Sequence, residues 1–243
     1  MERRTRRRLM IPQLAADIPF VGRGPLLRRL ERLYRAQRCV LLFGQTGVGK
    51  TALMGKLEQG FPVLYAPRCR YLGELIDVLE PQAKLEKGEL KLAARVHRLI
   101  AQLPRLGRPL VLDHVARVPP KVAHLVRVLL AEMPVWLLTR SVLPLDIGHL
   151  WPYLFMFKRI DVPPFSLEET RSFLRAAPFS GDRNVLLAAT LRLHRLSAGH
   201  PATLIALIEE LRQRTYDLTT MDGLHLLALH ARITYVEAQL AVT

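Results

Sequence analysis

The sequence predicts an α/β fold, a mostly parallel sheet with helices on both faces, followed by a smaller all-helical domain. Three observations predict it. Short, continuously apolar runs alternate with stretches of helical periodicity. That is the pattern of βαβ units whose strands are buried on both faces. A glycine-rich turn, Gly44 to Thr51, follows the first apolar run and opens a helix-compatible one. Beyond Pro163 and Pro164 the strand-like runs stop and only helical periodicity remains.

The elements follow in order. Residues 1–18 read as a basic, poorly ordered arm carrying Arg3, Arg4, Arg6, Arg7 and Arg8. The α/β core is expected over 19–164. Its first helix spans about 25–37, with Leu26, Leu27, Leu30 and Leu33 on one face at helical spacing. Strands are expected at 39–43, 61–66, 110–113, 135–139 and 158–162. Helices are expected at 50–59, 71–80, 89–103 and 121–132. The helical lid is expected over 165–243, with helices at about 167–177, 183–197 and 201–214 and no further strand. Residues 216–243 are enough to begin a winged helix but hardly to complete one.

Composition narrows the partners. The chain has 243 residues, room for one α/β domain and a smaller companion. It carries 36 Lys+Arg against 21 Asp+Glu, a formal charge of +15, which favours a polyanion or an acidic partner. The basic residues are mostly arginine and are scattered, so they do not mark one patch. Cys39 and Cys69 sit in or beside apolar runs, without metal-ligand spacing. They read as reduced thiols of a cytoplasmic protein. No apolar run approaches the ~18 residues of a membrane span. The stretch 149–157 is the most apolar, and Pro152 interrupts it.

The chemistry is carried by a few positions. Gly44, Gln45, Thr46, Gly47, Val48, Gly49, Lys50 and Thr51 match the pattern Gly-x-x-x-x-Gly-Lys-Ser/Thr at every position. Glycines let the backbone wrap a phosphate chain closely, and its amides form an anion nest at a helix N-terminus. Lys50 is expected to reach the β- and γ-phosphates of ATP, and the Thr51 hydroxyl to ligate Mg²⁺. Asp113 ends the third apolar run, where an acid faces the ligand crevice and can hold the Mg²⁺ shell through water. His114 follows, where many such ATPases place an acid that orients the attacking water. Two readings stand: His114 takes that role as a base, or it has no catalytic role and hydrolysis is slow. Glu132 and Asp146 are conceivable substitutes. Arg140 follows the fourth strand, where a cation can sense the γ-phosphate and stabilise the phosphoryl group in transfer.

The ordered set resembles the STAND ATPases (NB-ARC, NACHT and related modules) and the initiator-type AAA+ ATPases. Phe20-Val-Gly-Arg23 with Leu26, Leu27 and Leu30 is similar to the box that precedes their phosphate loop. Leu-Leu-Thr-Arg-Ser (137–141) resembles the STAND sensor segment. Val162-Pro-Pro-Phe-Ser-Leu-Glu-Glu169 resembles the start of their lid, and Gly199-His-Pro201 their Gly-x-Pro motif. The resemblance implies strand order 5-1-4-3-2, Val21 and Gly22 against adenine, and Pro201 packed on the adenine ring. It covers residues 20–212.

Three functions are in view. In the first, ATP bridges core and lid, the closed form oligomerises or recruits a partner, and the basic balance brings it to double-stranded DNA in transposition, replication or defence. The second is a STAND-type signalling or defence module without DNA. The third is a nucleotide-dependent scaffold with little turnover, cued by His114. Typical STAND effector domains are absent, so the chain is either a minimal ATPase working with protein partners or a fragment. Lys158 and Arg159 are candidates for acting in trans on a neighbouring subunit, or are plain anion contacts.

Overall fold

The structure is a computed structural model, which describes residues 20–86, 90–179 and 181–240. The basic arm expected at 1–18 lies outside the described residues. The chain divides into two compact units. The first comprises Gly24–Gln45 and Lys50–Val162. The second comprises Thr46–Gly49, the chain from Pro163 onward, and residues 20–23 of the described chain.

The first unit runs α1 (Gly24–Arg35), β1 (Val40–Phe43), α2 (Lys50–Glu58), β2 (Leu64–Ala66), α3 (Leu72–Gln82), α4 (Leu92–Gln102), β3 (Leu110–Val115), α5 (Pro120–Leu130), β4 (Val135–Thr139), α6 (Pro144–Ile147) and β5 (Lys158–Asp161). Short 3₁₀ turns lie at Pro104–Leu106 and Trp151–Met156. All strand pairs are parallel, and the order is β2-β3-β4-β1-β5. Read from the other edge, this is the order 5-1-4-3-2 that the resemblance implied.

The apolar strands are explained by burial on both faces. Leu41, Leu64, Ala66, Leu110, Leu112, Val135 and Leu137 join one core with residues of α3, α4 and α5. The alternate positions Val40, Leu42, Val111, Trp136 and Leu138 are just as buried, as a period of two requires when both faces are covered. Tyr34 of α1 packs edge-on against Trp136, with ring centroids 6.4 Å apart. At ~25 cal/mol per Å² of apolar surface, this two-sided burial is the main source of the unit's stability.

Two details of this unit set the site. β2 is an edge strand, and its outward backbone is covered by a side chain. Tyr65 N–H donates to Gln82 Oε1 at 2.8 Å, and Gln82 Nε2 donates to the Tyr65 carbonyl at 2.7 Å. The Gln82 amide thus closes the open ladder. The expected strand at 61–66 is correspondingly shorter, Leu64–Ala66. The second detail is a bulge: the β3–β4 register breaks between Leu112 and Val115, so Asp113 and His114 fall in the irregular step.

The second unit is helical from Pro163 onward: α7 (Leu167–Ala176), α8 (Arg183–Ala188), α9 (Thr190–Ser197), α10 (Pro201–Gln213) and α11 (Met221–Leu240). α7 opens with a full capping box. Ser166 Oγ accepts from Glu169 N–H, and Glu169 Oε2 accepts from Ser166 N–H. The helix expected over 183–197 is split at Ala189. Thr190 explains it, because its hydroxyl donates to the Leu187 carbonyl at 2.6 Å and competes with the helical bond. After a turn at Leu218–Thr219, residues Met221–Leu240 form one helix, and Leu224, Leu227 and Ala231 seat it in the core of this unit.

Candidate functional site

In the first unit the site grows from the carboxyl ends of parallel strands. β1 delivers Gly44, whose N–H donates to the Thr139 carbonyl on β4 at 3.3 Å. After the loop the chain enters α2 at Lys50. Lys50 Nζ donates to the carbonyls of Gly44 at 2.7 Å and Gln45 at 2.9 Å, so the loop's first residues hold the ammonium. Burial lowers the Lys50 pKa, and the Asp113 charge partly restores it.

Asp113 is the centre of the acceptor chemistry. It is 1% exposed, and its carboxylate takes three donors. Thr51 Oγ1 donates to Oδ2 at 2.7 Å, and Tyr65 Oη donates to the same oxygen at 2.9 Å. His114 N–H donates to Oδ1 at 2.7 Å. A buried carboxylate needs such donors, and bonds to an ionised acceptor are the strong kind. Burial, then the Asp113 charge, raises the Tyr65 pKa, so its phenol stays a donor.

The bulge sets His114 apart. Its backbone is left-handed, with φ +48°, a region that histidine enters more readily than bulky or branched residues. Its side chain is exposed, while the carboxylate of Asp113 beside it is buried. Arg140 follows β4 and is exposed. Its Nη2 donates to Asp146 Oδ1 at 2.6 Å, and Ser141 Oγ donates to Asp146 Oδ2. Those two bonds, Ser141 first, hold the Asp146 pKa below the usual carboxylate range. Asp146 is therefore the partner of Arg140 rather than a free water-orienting acid. Glu132 lies in the turn ahead of β4, at the amino ends of the parallel strands, whereas Asp113 lies toward the carboxyl end of β3. It is not a substitute for the acid either. Lys158 aligns with Val40, the first residue of β1, and so also lies at the amino-end edge.

The second unit gathers the other predicted positions. Gly47 has φ +81°, and its carbonyl accepts from Ala202 N–H in the first turn of α10 at 3.2 Å. A Cβ on Gly47 would meet the Ala202 methyl and the His200 ring, both at 2.8 Å. Only glycine fits there. Pro201 is buried at the first position of α10, where a missing N–H costs nothing. Residues 20–23 reach the same region through Arg23. Its Nη2 donates to the carbonyls of Pro163 at 2.5 Å and Val48 at 3.5 Å, and its N–H donates to Glu169 Oε1 at 3.1 Å. Gly22 lies against the Glu169 carboxylate, and Val21 is half-buried. Thr46–Gly49, Val21, Gly22 and Pro201 thus share one compact unit, and Lys50, Thr51 and Asp113 share the other.

Sequence reasoning missed Tyr65 and Glu169 as members of these clusters. Tyr65 carried a faint signal, a polar-tipped residue inside an apolar strand. Glu169 carried a stronger one, the Ser-x-x-Glu capping box, whose acid turns out to serve Arg23 as well.

The donor chemistry fits a nucleotide with Mg²⁺. The loop is glycine-rich and leads into a helix N-terminus beside a lysine. The Thr51 hydroxyl and the Asp113 carboxylate are hard oxygens already in contact. Among the described residues no group of three or more His, Cys, Asp or Glu could hold a metal alone. Mg²⁺ does not need one, since it takes one or two protein oxygens and completes its shell with phosphate and water. No described helix is long and apolar enough to cross a membrane.

No family model and no curated protein matches the chain. Solved structures do. The Walker-type ATPase of Pyrococcus abyssi superposes with a TM-score of 0.61 at 18% identity, over 91% of this chain and 75% of that one. The Orc1 protein of Aeropyrum pernix, solved in complex with DNA, gives 0.60 at 17% identity, over 87% of this chain. This chain spans 66% of that Orc1 protein, just under two thirds of its length. A STAND protein with a tetratricopeptide-repeat sensor from Pyrococcus horikoshii gives 0.51 at 18% identity, over 87% of this chain and 33% of that one. With its five-stranded parallel sheet in the order β2-β3-β4-β1-β5, this chain has the fold of the P-loop AAA+ ATPases.

Proposed function

We propose that this chain is an ATP-binding switch of the AAA+/STAND kind that binds Mg²⁺-ATP, assembles with further copies or recruits a protein partner, and works on double-stranded DNA. One observation carries the nucleotide part: the Thr51 hydroxyl rests on the Asp113 carboxylate at 2.7 Å, at the mouth of a loop whose lysine is already drawn inward. In this reading Lys50 supplies positive charge to the β- and γ-phosphates, and the amides of Gly47 to Thr51 cradle them. Thr51 and Asp113 hold the Mg²⁺ shell, Asp113 through water. Bound Mg²⁺ neutralises charge on the phosphate oxygens. Arg140, tied to Asp146, senses the γ-phosphate. Val21, Gly22 and Pro201 border the base. Within the second unit the Gly47 carbonyl accepts from Ala202 N–H in the first turn of α10. His114 is a poor substitute for a fixed acid, so intrinsic hydrolysis is slow and partner-stimulated.

The DNA part rests on the formal charge of +15 and on likeness in fold to an Orc1 protein solved with DNA. The test is size measurement with and without Mg²⁺-ATP, repeated with duplex DNA and across a salt series. Growth on DNA with ATP, and affinity falling steeply with salt as counterions are released, is the expected result. Salt-insensitive or absent DNA binding would sink the DNA role. ATP-dependent assembly without DNA would favour the second reading, a STAND-type signalling or defence module. The Gly199-His-Pro201 turn, buried at Gly199 and Pro201, and the likeness in fold to a STAND protein support that second reading.

A further inference from the structure

We propose that Tyr65 is a positioning residue for the metal shell, its hydroxyl fixing the Asp113 carboxylate beside Thr51. The proposal rests on the reading of Thr51 and Asp113 as the Mg²⁺-ATP pair. Three features of the structure lead to it.

The first is a shared oxygen. Thr51 Oγ1 and Tyr65 Oη both donate to Asp113 Oδ2, at 2.7 and 2.9 Å. An ionised carboxylate offers about four acceptor sites, two on each oxygen. The two hydroxyls fill those of Oδ2. The His114 amide takes one of Oδ1, at 2.7 Å, and leaves one. Asp113 therefore has a single acceptor site to present, enough for a metal-bound water and in keeping with an outer-shell role. Without the phenol, Oδ2 regains a site and the carboxylate loses one of the bonds that stop it from turning about its Cβ–Cγ bond.

The second feature is rigidity. Tyr65 is 4% exposed and sits on β2, whose backbone at Tyr65 is bound on one side by both ends of the Gln82 amide. On the other side Tyr65 aligns with Val111, two residues before Asp113 in β3. Strand pairing thus sets the reach of the phenol to the acid. The third feature is that a single aromatic ring spans from the edge strand to the acid, so no longer or more flexible side chain is needed. A phenol donates one proton, adds no charge, and stays protonated. It orders the acid without cancelling it.

The test uses the full chain and two variants. Tyr65→Phe removes the hydroxyl and keeps the ring. Asp113→Asn removes the acceptor charge. Binding of Mn²⁺ to the chain with ATP is read by electron spin resonance. Binding of a fluorescent ATP analogue is read in excess chelator, without metal. Tyr65→Phe is expected to weaken Mn²⁺ binding about tenfold, the effect of losing one bond to a charged acceptor, and to leave metal-free binding of the analogue unchanged. In the Asp113→Asn background the same change is expected to do nothing further, since Tyr65 acts through that carboxylate. Unchanged Mn²⁺ affinity in Tyr65→Phe overturns the proposal. So does a parallel fall in metal-free binding, which would make Tyr65 merely structural. A measurement on the parent protein guards against a variant that does not fold. Mg²⁺ should produce a tyrosine absorbance difference in the ATP complex, absent from Asp113→Asn, and no difference in the parent counts against Tyr65. A parent chain that fails to bind the analogue at all overturns the nucleotide reading itself, and this proposal with it.

Discussion

Phe165 and Gly199 are joined backbone to backbone: Phe165 N–H donates to the Gly199 carbonyl at 2.7 Å, and the Gly199 Cα faces the Phe165 carbonyl oxygen with no room for a methyl group. Gly199 also has φ +69°. Gly199→Ala therefore meets two costs. The left-handed backbone costs about 1 kcal/mol for alanine, and the clash forces the strand of chain at Phe165 to move. A loss of about 2–4 kcal/mol is expected in urea unfolding followed by helical signal. A midpoint equal to that of the parent would show that the close approach is not what selects glycine here.

Arg23 is the buried cation of the second unit. Besides its bonds to Pro163, Val48 and Glu169, its guanidinium lies 4.7 Å over the Phe165 ring. Burial lowers its pKa and the Glu169 charge works against that, so the cation is held by its partners. Arg23→Met keeps the length and removes the donors. It should cost about 2–3 kcal/mol and loosen the loop at Val48. Arg23→Lys should recover little, because an ammonium cannot span two carbonyls and stack on a ring at once. Amide hydrogen exchange at 46–49 is the readout, and equal protection in Arg23→Lys and the parent would count against the fork geometry.

The fold was legible because its signals are local. β4 fell at the expected 135–139, since Val-Trp-Leu-Leu is apolar throughout and the run ends at Thr139, just before Arg140. The phosphate loop was legible from spacing alone. What could not be read is what depends on register and rotamer. Nothing in the sequence says that Tyr65 and Asp113, 48 positions apart, meet on one face of paired strands. Nor does it say that Asp146 is taken by Arg140 rather than left for water. The split at Ala189 was missed for the same kind of reason. A threonine hydroxyl chooses between water and a carbonyl in its own chain, and only the local geometry decides.

The pair that fastens α3 to α4 gives a pH-dependent prediction. Arg95 Nε and Nη2 donate to both Glu80 oxygens at 3.0 and 2.6 Å, and Nη2 also meets Asp77. The Glu80 side chain is 2% exposed, the Arg95 side chain 14%. The hydrogen bonds from Arg95 lower the Glu80 pKa in the fold. Its contribution is therefore present above the unfolded glutamate value and is lost as pH falls through the lower folded value. Arg95→Ala should cost about 2–3 kcal/mol at neutral pH, leaving a buried carboxylate without its fork. The gap between variant and parent should narrow on acidification below the ordinary glutamate range. A gap that stays constant down to the acid transition would assign the loss to packing of the arginine stem instead.

On the proposed function, changes at His114 are expected to alter turnover and leave nucleotide binding level. Its backbone is fixed at φ +48° by the bulge, its amide is committed to Asp113, and its ring is exposed. The imidazole is exposed, and among the described residues no side-chain hydrogen bond fixes its orientation as a carboxylate in a hydrogen-bonded shell would be fixed. His114→Ala should leave both ATP affinity and any basal hydrolysis within about twofold, because a group that is not positioned contributes little. His114→Glu should speed phosphate release at saturating ATP by about tenfold or more, toward the ~10²-fold or greater gain typical of a placed general base. Affinity should stay level, since the change touches neither Lys50 nor Thr51. Phosphate release measured alongside equilibrium binding of a fluorescent ATP analogue tests both. If the parent instead turns over briskly and His114→Ala abolishes that rate, then the histidine is itself the base, and the bulge exists to aim it.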